Sequence, residues 1–464
     1  MISMKASEVA SIIGGVLHGD DVAITAPAFL SSRDCIEGSI FLAINGANVD
    51  GHDFVTDAFK NGAELALTTH PVAERCIVVD DVTRAISALA AHLRNELKDL
   101  KVIGITGSQG KTTTKELLAG ILSAEGVTVS PKGNNNNELG VPITLLQCTR
   151  ETEYCIVEMG ARHQGDIAAL ATIAAPQVGV VLRVAAAHIG EFGSIEKIAE
   201  TKSEMISTLH EDGIAILGQY DEYTPKMTSL HKGKTIFFGQ EANSEVRATD
   251  IELREGRPHF DLVTPEGRST VALRLYGEHQ ISNALAAAAV AHVLGISTDH
   301  IASALSTAEI HARWRMEVKE LHDLTIINDA YNASPDSMAA ALRTLVHLTQ
   351  ERGGESWAFL GNMRELGESS RHAHAEIGTL ASSLGVDHLI TVGAPEYAIE
   401  IGENSQISLH MCADRAEALA FAEHLNRGDV VLCKASRSDG LEVLAENIEK
   451  FWMSKIESEK GVGE

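Results

Sequence analysis

The sequence predicts an α/β protein of three domains. Short apolar runs alternate with helix-period segments along most of the chain, as strands do when helical crossovers join them. The chain has 464 residues, enough for two to four domains at roughly 150 residues each. A glycine-rich segment near residue 107 sits between an apolar strand and a helix, the context of a phosphate loop.

Residues 1–98 read as a small first α/β domain. Ser39-Ile40-Phe41-Leu42-Ala43-Ile44, closed by Asn45-Gly46, is a strand, and residues 64–69 and 76–80 give two more. Residues 83–97 carry Ile86, Leu89, Ala90 and Leu93 at helical spacing. Residues 99–310 form the second domain, with strands at 102–106, 154–159 and 178–182 and a helix at 112–124. That order implies right-handed crossovers and a mostly parallel sheet. Residues 252–257 and 271–275 read as antiparallel strands added to it. Residues 311–464 restart the rhythm, with strands at 325–329, 357–361, 388–392 and 430–434. The tail from Ser454 is charged and is expected to fray.

Composition narrows the function. With 44% apolar and 22% charged residues, the chain is globular rather than disordered, collagen-like or coiled-coil. Its 38 Lys and Arg against 64 Asp and Glu give a net charge of −26, which argues against nonspecific nucleic-acid binding. A local basic pocket for an acidic small substrate remains compatible with that balance. The six cysteines have no metal-knuckle spacing, so a reducing cytoplasm is expected. No run approaches the roughly 18 apolar residues of a membrane span, and the first residues lack a signal-peptide core.

The strongest local signal is Gly104-Ile105-Thr106-Gly107-Ser108-Gln109-Gly110-Lys111-Thr112-Thr113. Glycines let backbone N–H groups face a phosphate, and the helix N-terminus adds positive field. Lys111 is placed to reach β- and γ-phosphates, and the Thr112 hydroxyl to hold Mg²⁺. Ile105 stands where a standard loop has its first glycine, so the loop is the short Gly107-x-x-Gly110-Lys111-Thr112 form. Residues 133–142 place four asparagines before Gly140 and Pro142. They fit either a surface turn or an amide-rich binding loop.

Together these segments resemble the ATP-dependent Mur ligases of peptidoglycan synthesis, and the resemblance spans essentially the whole chain. It implies an N-terminal UDP-substrate domain, a central P-loop ATPase domain and a C-terminal Rossmann-like domain. By the same resemblance, Gly107, Ser108, Gln109, Gly110, Lys111, Thr112 and Thr113 bind ATP. Glu158, followed by Met159-Gly160, matches the family's magnesium carboxylate. His188, in His188-Ile189-Gly190-Glu191-Phe192-Gly193, matches the histidine that helps arrange the metal. Lys202 matches the lysine that carries a carbamate, and so joins Thr112, Glu158 and His188 as a metal ligand. Asn283 matches the residue that meets adenine, Arg315 an arginine that approaches the phosphates on domain closure, and Asp329 the acceptor for the ribose.

Asp329-Ala330-Tyr331-Asn332-Ala333-Ser334-Pro335-Asp336-Ser337 resembles the branch that adds D-alanyl-D-alanine to UDP-N-acetylmuramoyl-tripeptide. That resemblance implies an acyl-phosphate route with ATP and Mg²⁺ in a monomer. It also implies substrate contacts from Ser31, Ser32, Arg33, Asn45, Gly46 and His52 in the first domain. Asn134, Asn136 and Asn137 would add to them from the second, and Asn332, Ser334, Lys434 and Ser436 from the third. Arg183 and Gln280 depart from the family pattern, each where asparagine is usual, as do Ser334 for asparagine, Asn362 for aspartate and Ala435 for glycine. A sibling amide ligase and a nucleotide-binding protein without catalysis are the alternative readings.

Overall fold

The computed structural model describes residues 1–46, 49–131, 133, 135–186, 189–310, 312–402 and 405–461. Among them, three large sheets follow one another along the chain. The first has five strands, with Cys76–Val78, Ala63–Thr68, Ser39–Leu42 and Ala28–Phe29 in parallel register and Val16–His18 antiparallel at one edge. Helix α1 (Val82–Glu96) follows it. The Asp81 carboxylate accepts the Thr83 and Arg84 N–H groups at the helix start, two donors that no helical carbonyl can reach. Its Ile86, Leu89, Ala90 and Leu93 face is buried.

That face does not close a separate core. Leu89 and Leu93 belong to one apolar cluster with Val141, Ile167 and Ile206 of the following unit. Arg94 reinforces the join. Its guanidinium donates to the carbonyls of Ala174 and Ala175, at 3.1 and 3.2 Å. These are terminal carbonyls of helix Asp166–Ala174, which lack helical partners and attract a cation.

The central sheet has nine strands. Thr128–Val129, β2 (Tyr154–Glu158), β1 (Lys101–Thr106), β3 (Val178–Val181), Ile214–Gly218, Lys234–Gly239 and Val246–Arg254 run parallel in that spatial order. Arg257–Thr264 and Gly267–Ala272 complete it as antiparallel strands. Residues 252–257, expected as one strand, instead contain a hairpin turn. Glu255 and Gly256 both take left-handed backbone, at φ 50° and 69°, the conformation of a two-residue type I′ turn. Helices α2 (Lys111–Ser123), α3 (Ile195–Ser207) and α4 (Gln280–Val293) pack on this sheet. The alanine run of α4 is buried all round, and its small side chains let α4 lie close against α2.

The third sheet has six strands, with β4 (Leu324–Asn328), β5 (Val430–Lys434), Ser356–Leu360, His388–Val392 and Ser408–Cys412 parallel. The edge strand Glu317–Leu321 is antiparallel to β4. This edge strand and Ser408–Cys412 escape a sequence reading because both are partly exposed and neither is a continuous apolar run. Helix α5 (Pro335–Arg352) follows β4. The expected fraying at Ser454 is not found, since the last helix runs Leu441–Gly461. Trp452 and Ile456 are buried, and Lys455 donates to the Leu425 carbonyl at 2.8 Å. One contact between the central and third units is main chain to main chain: the Gly190 N–H donates to the Glu365 carbonyl at 2.9 Å.

Candidate active site

A cleft of about 930 Å³ lies between the central and third units. It opens at the carboxyl ends of the parallel strands, where sheets of this kind bind ligands. The phosphate loop forms its floor. Gly107 and Gly110 have φ of 155° and 81°, and a Cβ at Gly110 would collide with the Asn283 amide oxygen. Helix α2 begins at Lys111, so its first N–H groups and positive field face the cleft. The Lys111 ammonium donates to the Gly107 carbonyl at 2.8 Å. Burial pulls its pKa down, and nearby Glu158 opposes that shift.

Glu158 ends β2, beside Ile105 of β1, and is 1% exposed. Its Oε2 accepts from the Thr112 hydroxyl and its Oε1 from the Asn136 amide, both at 2.9 Å. Lys202 projects from α3 into the same cleft and is buried. It makes no hydrogen bond or ion pair with a described residue. Burial and the Lys111 charge push its pKa down to about 7. His188 and Asn134 lie outside the described residues. Among the described residues, no three His, Cys, Asp or Glu side chains cluster as metal ligands.

The opposite wall comes from the third unit. Arg315 stacks 3.8 Å from the Tyr331 ring centre. Asp329, just past β4, accepts from Met316 N–H at 3.0 Å and from the Lys434 ammonium at 2.6 Å. Lys434, 2% exposed in its side chain, also donates to the Asn332 carbonyl at 2.8 Å. Among the described residues, side chains meet across the cleft at Gln109 Nε2 to the Ser334 hydroxyl, 3.4 Å, and at Arg183 to Asp336, 3.7 Å. A phosphate-binding floor therefore faces a wall of paired charges at the end of a second parallel sheet.

Sequence comparison agrees with this layout. The Mur ligase middle domain matches residues 105–291. The Mur ligase glutamate ligase domain matches residues 314–437, and the Mur ligase family catalytic domain residues 29–119. The chain is 38% identical to the UDP-N-acetylmuramoyl-tripeptide–D-alanyl-D-alanine ligase of Mycobacterium tuberculosis, over 96% of this chain and 98% of that protein. The chain belongs to the Mur ligase family. Solved Mur ligases share its fold from end to end. MurF from Acinetobacter baumannii matches with a TM-score of 0.87 at 34% identity, covering 97% of this chain and 99% of that one. MurF ligase from Thermotoga maritima, in complex with ADP, matches with 0.80 at 31% identity, covering 93% and 99%.

Within this Mur ligase, the residues picked out by sequence fall into two groups. Gly107, Ser108, Gln109, Gly110, Lys111, Thr112, Thr113, Asn136, Asn137, Glu158, Lys202, Asn283, Arg315, Asp329, Asn332, Ser334 and Lys434 all line the cleft. Ser31, Ser32, Arg33, Asn45, Gly46, His52 and Ser436 do not. The Ser436 hydroxyl is buried and accepts the Arg364 N–H at 2.9 Å, which fixes the turn at residues 362–364. His52 has both ring nitrogens engaged: Nδ1 with Asp50 at 2.6 Å, and Nε2 with the Thr69 N–H at 3.0 Å. Gly46 N–H and the Val49 carbonyl close the neighbouring turn at 2.9 Å. Asn283 lies within α4, which starts at Gln280. It lies one turn in, where Gln280 Oε1 accepts its amide at 2.8 Å. The Asn137 side-chain oxygen accepts the Gly140 N–H at 3.0 Å, at the start of the following helix.

His279 was not singled out by sequence. It lines the cleft, and burial pushes its pKa down to about 4 against the pull of Asp329. The available signal was its place beside Gly277, at the start of the alanine-rich helix.

Proposed function

We propose that this chain joins D-alanyl-D-alanine to UDP-N-acetylmuramoyl-tripeptide at the expense of ATP. The observation that carries the reading is similarity along 98% of the length of a ligase named for that reaction, with a nucleotide-type cleft within the aligned span. The tripeptide carboxylate takes the γ-phosphoryl group of ATP, giving an acyl phosphate and ADP. The dipeptide amine attacks that carbonyl, and inorganic phosphate leaves. The protein's contribution is positioning and charge neutralisation.

Lys111 and the N-terminal amides of α2 bind the β- and γ-phosphates. Arg315 adds a cation from the third unit, and Asp329 accepts the ribose hydroxyls. Asn283 and His279 face the base. The N-terminal loops at residues 31–33 and 45–52 receive the UDP sugar, in a monomer acting in the cytoplasm.

The residues present fit Mg²⁺. Glu158 and Thr112 offer hard oxygen donors on one buried hydrogen bond, and so small a protein set suits a cation that keeps water and phosphate ligands. When bound, Mg²⁺ would neutralise phosphate charge. Lys202 fits a carbamate for a separate reason. A buried amine with a pKa pushed down to about 7 is substantially neutral near physiological pH, and only the neutral amine adds CO₂. Conversion to an anion would turn a cation that repels metal into an oxygen ligand.

The test offers the purified chain UDP-tripeptide, D-alanyl-D-alanine and Mg-ATP, then follows phosphate and product mass. The expected product gains one dipeptide per ADP formed. Addition of a single free amino acid, with the dipeptide ignored, would overturn the assignment.

A further inference from the structure

Helix α2 carries two ionic side chains one turn beyond the phosphate loop that the proposed chemistry does not use. Lys115 is 1% exposed, and its ammonium donates to the carbonyls of Pro131 and Gly133 at 2.7 Å each. Its neighbour Glu116 accepts the Ala312 N–H at 3.2 Å, which ties the same helix to the segment leading into the third unit. Burial lowers the Lys115 pKa, and Glu158 and Glu116 oppose the shift. Lys115 therefore lies within electrostatic reach of Glu158 without lining the cleft.

A buried ammonium is costly unless its donors find acceptors. Here they grip the carbonyls of Pro131 and Gly133, which shortly precede Asn135, Asn136 and Asn137 in sequence. The asparagine loop is anchored again at its far end. The Asn136 side chain donates to Glu158 at 2.9 Å, and its carbonyl accepts the Gly160 N–H at 2.8 Å. Gly140 packs so closely on Asn135 that a Cβ there would collide with the Asn135 backbone. The path from Lys115 to the cleft is thus short and entirely polar: ammonium, loop carbonyls, Asn136, Glu158, Thr112.

We propose that Lys115 is a positioning residue for the ligation. It holds the asparagine loop so that Asn136 fixes the Glu158 carboxylate and the loop amides face the carboxyl-bearing substrate. The inference rests on the function proposed above. It predicts an asymmetric defect, because the phosphate loop on the other side of α2 keeps its own contacts.

The test compares full-length wild type, Lys115→Met, Lys115→Gln, Asn136→Ala and the Lys115→Met/Asn136→Ala double variant. Lys115→Met should lower kcat at least about 10-fold and raise KM for the UDP-tripeptide, as small misplacements near the chemistry do. ADP affinity should stay within about twofold, because the variant leaves the phosphate loop intact. In the Asn136→Ala background the same change should cost less than about twofold, since both act through one path. Lys115→Gln, which keeps N–H donors, should recover part of the loss, and it carries the test if Lys115→Met does not fold. Equal loss of ADP affinity and kcat, or full additivity with Asn136→Ala, would overturn the proposal. Amide exchange without substrates separates this inference from the function it rests on. Faster exchange at residues 133 and 135–137 with unchanged exchange at 107–112 supports the clamp even if wild type makes no dipeptide product. Unchanged exchange in both segments defeats it.

Discussion

The two ends of the candidate substrate path are built differently. At the nucleotide end, charges are buried and only partly satisfied by the protein. Lys202 has no partner among the described residues, and Glu158 is bound by a hydroxyl and an amide rather than by a cation. At the N-terminal end, the polar groups satisfy one another near the surface. His52 is spent on Asp50 and Thr69, and the Ser31 hydroxyl accepts the Arg33 N–H at 3.3 Å. Buried charge left unpaired is expensive and advertises a ligand. A satisfied surface turn advertises nothing. The phosphoryl end therefore has a physical argument of its own, while the sugar end rests on family membership.

Substitutions can break or sharpen that contrast. The largest effect is expected at Lys111. Lys111→Ala should cut turnover at least about 100-fold, the scale of one lost electrostatic contact to a developing charge. Near-normal phosphate release from a folded variant would remove the loop from the chemistry.

Next comes Lys202. Both Lys202→Ala and Lys202→Arg should lose about 30-fold or more, because neither can supply an anionic oxygen ligand to the metal. Short carboxylic acids should restore part of the alanine variant's activity. The pH sign follows from an amine pulled down to about 7. The neutral fraction grows as pH rises through that value, so bicarbonate-dependent activation of CO₂-depleted wild type should grow in the same direction. Activation that falls with rising pH, or a fully active Lys202→Arg, would refute the carbamate.

Asp329→Asn should act more mildly on two readouts. Calorimetry should show nucleotide binding weakened about tenfold with UDP-substrate binding little changed, as for loss of one charged hydrogen-bond acceptor. Thermal melting should also drop, by about 1–3 kcal/mol of stability, because Lys434 loses its buried anionic partner. Equal weakening of both ligands would assign Asp329 to the fold alone. The smallest effect is expected at His52. His52→Ala should cost about 1 kcal/mol of stability from lost turn hydrogen bonds, with KM for the UDP substrate moving less than about threefold. A large KM rise with unchanged melting would restore the direct substrate role that the resemblance implies.

What could be read from sequence was what is local in sequence. The phosphate loop packs its glycines, lysine and threonine into six residues, and the strands flanking it are continuous apolar runs. Glu158 and Asp329 stood out because each ends such a run. Pairings set by tertiary structure were invisible. Nothing in the sequence ties Lys434 to Asp329 across 105 residues, Lys115 to Pro131, or Arg94 to the end of a helix 80 residues later. The hairpin at Glu255-Gly256 was misread because strand residues continue on both sides of a two-residue turn. The last helix was misread because charge outweighed the Trp452 and Ile456 anchors.

The contact between Gly190 and the third unit also constrains how this chain can change. Beyond its hydrogen bond to Glu365, a methyl group on Gly190 would sit 2.5 Å from the Gly367 nitrogen. All the nearest atoms it would meet are backbone, which cannot yield as a flexible side chain can. Alanine at position 190 would act as a shim, holding the two bodies apart by roughly the radius of a methyl group. Drift at this position should then appear as slowed turnover and weakened nucleotide binding together, a lesion that a survey of cleft-lining residues alone would overlook.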